Sequence, residues 1–114
     1  MKKKKGHIMK QTKHDNGLER IIKHPNMFLK NKIKFIAKEV KIYRPDESLL
    51  SEIDILAYDG ELYNIEYKSS IKHIDKAMHQ LRIQRDFIKG IYPRKLNSIF
   101  MYATDKDILK KKIS

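Results

Sequence analysis

The chain has 114 residues, with 26 Lys and Arg against 14 Asp and Glu and a formal charge of +12 at pH 7. That length suits one domain rather than two. No run of eighteen apolar residues exists to cross a bilayer as a helix, and zero Cys excludes a disulfide scaffold, a thiol nucleophile and any zinc site built on thiolates. The basic first residues lack the apolar stretch of a secretory signal, so a soluble, cytoplasmic protein is expected, with no membrane partner.

Residues 1–13 carry six lysines (Lys2, Lys3, Lys4, Lys5, Lys10, Lys13) and no acid, and they read as a disordered basic arm ahead of a single domain over 14–114. The domain without the arm is still basic, so phosphate is its natural counter-surface and nucleic acid the expected partner. The competing explanation is a solubilising excess of Lys of the kind an A/T-rich genome encodes. A first helix is predicted to open at Asn16, with Asn16 as cap and Glu19 as its reciprocal capping-box partner, and Pro25 stops or kinks it. Leu29, Ile33, Ile36, Ala37 and Val40 fit a helical stripe, but Phe35–Tyr43 also reads as a first strand, and a strand from about Phe35 is preferred. Arg44–Ser48 is a loop by composition. Glu52–Tyr58 and Leu62–Ser69 read as strands flanking Asp59-Gly60, a hairpin signal. Apolar residues at helical spacing predict a helix from Ile71 to about Ile91, ended by Gly90 and Pro93. Leu96–Tyr102 is a fourth strand, and Asp105–Ile113 a short basic helix or tail. The expected fold class is α/β, a mixed sheet flanked by helices.

Strand side chains alternate faces, so the hairpin register decides whether its acids meet. The apolar residues Ile53, Ile55, Ala57 and Tyr63, Ile65, Tyr67 are all odd-numbered. If they share a face buried against a helix, Asp54, Glu66 and Lys68 share the opposite one, open to a cleft. A two-residue loop would separate the two sets, so a three-residue loop with Gly60 in a left-handed conformation, or a bulge, is predicted. Two adjacent carboxylates repel and are pushed toward neutrality unless a cation lies between them. Oxygen ligands without Cys or clustered His suit Mg²⁺ or Mn²⁺, and Lys68 is placed to orient or deprotonate a water or to steady a phosphate. This is the equipment of metal-assisted phosphodiester hydrolysis. An exposed cross-strand salt bridge is the plainer alternative.

Asp54, followed eleven residues later by Glu66-Tyr67-Lys68 in strand, turn, strand context and then by an amphipathic helix, resembles the core of the PD-(D/E)XK nuclease superfamily, which includes restriction endonucleases and small Holliday junction resolvases. The resemblance covers about residues 16–102, and Ile53 stands where the name-giving Pro would be. It implies a restriction-endonuclease-like α-β-β-β-α-β core, Mg²⁺ bound by Asp54, Glu66 and the Tyr67 carbonyl, Lys68 assisting the attacking water, and a homodimer. Glu19 matches an acid that many members place on the first helix, and Gln80 resembles a Gln that some carry after the motif, with Gln84 equally placed one turn on. The arm lysines and Lys72 are the expected DNA contacts. Glu39-Val40-Lys41 fits the same tripeptide, but no Asp lies on a preceding strand, and it reads as a solvated charge pair. The five His (His7, His14, His24, His73, His79) read as surface or phosphate-side residues, and Tyr58, Tyr63 and Tyr67 as sheet core rather than a base-stacking platform. The function expected is a metal-dependent DNA endonuclease selecting structure rather than sequence (a junction, flap or single-strand end). The alternatives are a noncatalytic nucleic-acid-binding module on this fold, an RNA-directed member, or a plain assembly protein.

Overall fold

The computed structural model describes residues 13–113, with the Lys13 side chain excepted. Five strands form one mixed sheet in the order β1-β2-β3-β4-β5: β1 Phe35–Tyr43, β2 Leu49–Tyr58, β3 Leu62–Lys68, β4 Leu96–Ala103 and β5 Ile108–Ile113. All neighbours are antiparallel except β3 and β4, which are parallel and joined through helix α2, Ile74–Lys89. Helix α1, Lys13–Lys23, precedes the sheet.

The sheet has a core on each face, set by strand alternation. Leu18 and Ile21 of α1, with Phe28 and Leu29, bury against Ile55, Ala57, Tyr63, Ile65, Tyr67, Ile99 and Met101. On the other face Ala77 and Leu81 of α2 pack on Phe100. The β2–β3 pairs Ile55↔Ile65, Leu56↔Asn64, Ala57↔Tyr63 and Tyr58↔Leu62 bring odd to odd and even to even, as the hydrophobic parity predicted. The connection is the three residues Asp59, Gly60 and Glu61, with Gly60 at φ +113°. Asp59 holds the turn by accepting the Glu61 amide (3.0 Å) and the Tyr63 hydroxyl (2.8 Å).

Three expectations are corrected. Helix α1 starts by Lys13, not Asn16, so Asn16 is a helix residue, the predicted capping box does not form, and Lys13 belongs to the helix rather than to an arm. Asp15 in the first turn complements the positive helix end, and the helix ends at Lys23, just before Pro25, as expected. The segment after Asp105 is an edge strand, not a helix or tail: buried Ile108 and partly buried Ile113 bracket exposed Leu109 and three exposed lysines, and Ser98↔Ile113 to Ala103↔Ile108 pair it to β4. Thr104 closes that hairpin, its hydroxyl accepting the Asp107 amide at 3.0 Å. Lysines on an edge strand discourage pairing with another chain. The helix predicted from Ile71 begins as a 3-10 turn, Ile71–His73, entered through Ser70, whose hydroxyl accepts the Lys72 amide. Among the described residues, no helix is long and apolar enough to cross a membrane.

Candidate functional site

The β2–β3 ladder ends at Ile55↔Ile65, and just past that point the chain gathers its unusual polar residues. Asp54 and Glu66 are 8% and 5% exposed, so both carboxylates are buried rather than open as expected. Where a further ladder bond would form, Asp54 Oδ2 instead accepts the Tyr67 amide at 2.9 Å. The Lys68 ammonium lies 3.5 Å from Glu66 Oε2 and is the more exposed member of the pair. Asp54, Glu66 and Lys68 are therefore brought together. A cleft of about 460 Å³ is lined by Tyr67, Ser69 and Ser70 but by none of Asp54, Glu66 and Lys68.

Electrostatics follow from this crowding. Burial, then the Asp54 charge, pushes the Glu66 carboxyl up to about 7, against the opposing pull of Lys68 and Gln84. Burial also raises Asp54, while the Tyr67 amide, His14 and Lys68 hold it down. One lysine thus does not compensate two buried carboxylates. An oxygen donor set short of positive charge is of the kind that suits Mg²⁺ or Mn²⁺, and Asp54, Glu66 and the Tyr67 carbonyl are the groups that could hold such an ion. Among the described residues, no group of three or more His, Asp or Glu is arranged to hold a metal.

Two further residues belong to the site, one read from the sequence as a surface or phosphate-side histidine and the other as an equally placed alternative to Gln80. His14 of α1 reaches across the end of the sheet, its Nε2 3.0 Å from the Tyr67 carbonyl oxygen and 3.5 Å from Asp54 Oδ2. The signal was there: His14, Gly17, Leu18 and Ile21 share one helical face, and Gly17 is buried where a Cβ would fall on the Tyr67 ring. The second is Gln84, fully buried on α2. Its carbonyl accepts Asn64 Nδ2 (3.1 Å), and its amide donates to Ser51 Oγ (3.1 Å), to the Glu52 carbonyl (3.3 Å) and, at 3.5 Å, to Glu66 Oε1. Ser98 Oγ extends the chain to Asn64 Oδ1 at 2.6 Å. Gln80 is one step further out, accepting the Ser51 hydroxyl at 2.9 Å.

The remaining candidates are not brought to the cluster. Glu19 neither caps α1 nor pairs with Lys68; its partner is Lys38 of β1 at 3.7 Å, on the α1 face of the sheet. Glu39 and Lys41 lie exposed on edge strand β1, as a solvated pair would. Lys72 is exposed in the turn after β3. Lys2, Lys3, Lys4, Lys5, Lys10 and the Lys13 side chain lie outside the described residues, as does His7. Tyr63 and Tyr67 are core, as read from the sequence, and Tyr58 is half-buried. No protein-family model matches the chain and no curated protein matches it, so a functional reading rests on the geometry of this cluster.

Proposed function

We propose that the chain is a metal-dependent nuclease that hydrolyses phosphodiester bonds in DNA, built on a restriction-endonuclease-like core of the PD-(D/E)XK kind and selecting substrate by shape. The observation that carries this reading is the pair of buried carboxylates, Asp54 and Glu66, set beside Lys68 where β2 and β3 part. A buried acidic pair costs stability and is retained where chemistry requires it. When bound by Asp54, Glu66 and the Tyr67 carbonyl, a divalent ion supplies Lewis acidity and lowers the pKa of water. The chain's own residues do the positioning. Gln84 holds Glu66 Oε1 and the Tyr67 amide holds Asp54 Oδ2, which fixes both carboxylates before substrate arrives. His14 fixes the Tyr67 carbonyl from the other side. Lys68, tethered at Glu66 and partly open to solvent, orients a water toward phosphorus and steadies charge on the phosphate. A domain of this size with a basic surface has little room for base readout, which favours a junction, flap or strand end over a long recognition sequence.

The test is nicking of branched, duplex and single-stranded DNA in Mg²⁺ and in Mn²⁺ by the parent, Asp54→Asn and Lys68→Ala proteins. The reading requires cleavage by the parent and its loss in both variants while DNA binding persists. A parent that cuts nothing in either metal, or an Asp54→Asn protein that cuts as the parent does, transfers the assignment to a noncatalytic nucleic-acid-binding module.

A further inference from the structure

A second cavity, of about 480 Å³, opens at the other end of the sheet and on its other face. The pairs Tyr63↔Asn97 and Ile99↔Lys112 set Tyr63, Ile99 and Lys112 on the α1 face, whereas Glu66 pairs with Phe100 on the α2 face. The sheet therefore separates this cavity from the carboxylate cluster. Its floor is apolar: Leu29, Tyr63 and Ile99 are all buried. Its rim is cationic, with Lys30 from the segment after α1, Lys95 from the approach to β4, and Lys110 and Lys112 from alternate positions of β5.

The positive charge is largely uncompensated. Glu61 is the single carboxylate in the lining, and it is already engaged by Asn97 Nδ2 at 2.9 Å and Lys95 at 3.8 Å. Lys110 is anchored, its ammonium donating to the Phe28 carbonyl at 2.6 Å. Among the described residues, Lys30 and Lys112 form no ion pair. Lysines converging on a concave surface raise the local concentration of phosphate. A bare anion would leave the apolar floor uncovered, whereas a ligand with one ring and one phosphate satisfies both parts, and the volume lies in the range of small-molecule sites.

We propose that this cavity is an anion-binding site, distinct from the carboxylate cluster, that takes a nucleoside phosphate, with its phosphate on Lys30 and Lys112 and its ring on the floor of Leu29, Tyr63 and Ile99. It stands apart from the cleavage reading because it uses neither Asp54 nor Glu66. The ligand is a free mononucleotide or the terminal nucleotide of a single strand, and the two sources share this chemistry.

The experiment is a titration of the ¹⁵N-labelled full chain in EDTA with adenosine monophosphate, a 5′-phosphorylated trinucleotide and inorganic phosphate. The expected result is saturable shifts at Leu29–Asn31, Asn97 and Lys110–Lys112 with none at Glu66–Lys68, and affinity for the monophosphate at least about tenfold above that for phosphate. Lys30→Glu with Lys112→Glu should weaken it by at least about tenfold. The milder Lys30→Ala with Lys112→Ala, both at exposed positions, should flatten the salt dependence of trinucleotide binding by about 0.7 for each phosphate no longer neutralised. Equal affinity for mononucleotide and trinucleotide identifies the free nucleotide, and tighter trinucleotide binding identifies a strand end; either supports the site. Shifts confined to Glu66–Lys68, affinity no better than that of phosphate, or binding indifferent to both double variants overturns it. Cleavage is not read, so loss of the nuclease reading leaves the result intact.

Discussion

Replacing Glu66 by Gln isolates what the buried carboxylate costs. The Glu66 carboxyl is pushed up from 4.5 to about 7 in the folded chain. Below pH 4.5 it is protonated in both folded and unfolded states and contributes nothing to pH dependence. Between 4.5 and 7 the folded state binds the extra proton, so stability falls as pH rises, and above about 7 the full cost is present. A shift of this size corresponds to about 3 kcal/mol. Gln is nearly isosteric with the protonated acid and never ionises. Glu66→Gln should therefore match the parent near pH 4 and become the more stable protein, by up to about 3 kcal/mol, near pH 8. The assay is urea unfolding of both proteins from pH 4 to 9 in EDTA, repeated with Mg²⁺ or Mn²⁺. Saturating metal should restore about 3 kcal/mol to the parent at pH 8 when present at a hundred times its dissociation constant, and much less to the variant. Parallel pH curves for the two proteins would refute the electrostatic account, and equal metal stabilisation would remove Glu66 as a ligand.

Asp54→Asn should lower cleavage by orders of magnitude and weaken metal binding while DNA affinity holds or rises, measured by nicking and filter binding on the same preparations. Lys68→Ala should cut nicking by about 10²-fold or more yet leave metal-dependent stabilisation unchanged. Gln84→Leu should destabilise the fold by about 2–4 kcal/mol in urea, because Asn64 Nδ2 loses a buried acceptor and Ser51 Oγ and Glu66 Oε1 lose a donor. Gly17→Ala should cost about 1–3 kcal/mol in thermal unfolding, since the new methyl meets the Tyr67 ring. Deleting residues 1–12, with their five lysines, should flatten the log affinity against log salt slope for duplex DNA by about 0.9 for each phosphate left without a lysine, and an unchanged slope would take those lysines out of binding.

The sheet was legible because β2 and β3 carry unambiguous parity. Ile53, Ile55, Ala57 and Tyr63, Ile65, Tyr67 can only be buried together, and that requirement overrode the two-residue turn suggested by Asp59-Gly60. Strand β5 was not legible, because three consecutive lysines between Ile108, Leu109 and Ile113 carry little apolar signal, and pairing with β4 supplies what sequence alone does not. Asn16 misled because a good capping residue is also tolerated inside a helix whose next face packs well. Gln80 and Gln84 differ by one turn, so periodicity puts both on the sheet side. Which one touches Glu66 depends on where α2 sits along its axis, a tertiary quantity. His14 was hidden by its neighbours: a basic, featureless stretch runs up to it, and only the four-residue interval to Leu18 places it on the buried face.

The cluster past Ile55↔Ile65 is a place where the fold works against itself. The sheet would be more stable with apolar residues at 54 and 66, since burial alone already drives both acids toward the neutral form. Instead, local structure is spent on keeping them in place. Asp54 takes the Tyr67 amide that a ladder bond would have used, and Gln84 spreads one side chain over Asn64, Ser51, the Glu52 carbonyl and Glu66. A surface ion pair needs no such support. Sites of this kind, in which local rules are broken and the breach is then braced by hydrogen bonds, are where a protein holds charge ready for a cation or a reaction. The two faces of the sheet divide the work accordingly. The α1 face holds the larger apolar core and the lysine-rimmed cavity, while the α2 face holds the buried polar network, with His14 and the Tyr67 backbone at the seam between them. A substitution that stabilises the α2 face by removing charge should therefore lower metal binding, whereas one that alters the rim of Lys30 and Lys112 should leave it untouched.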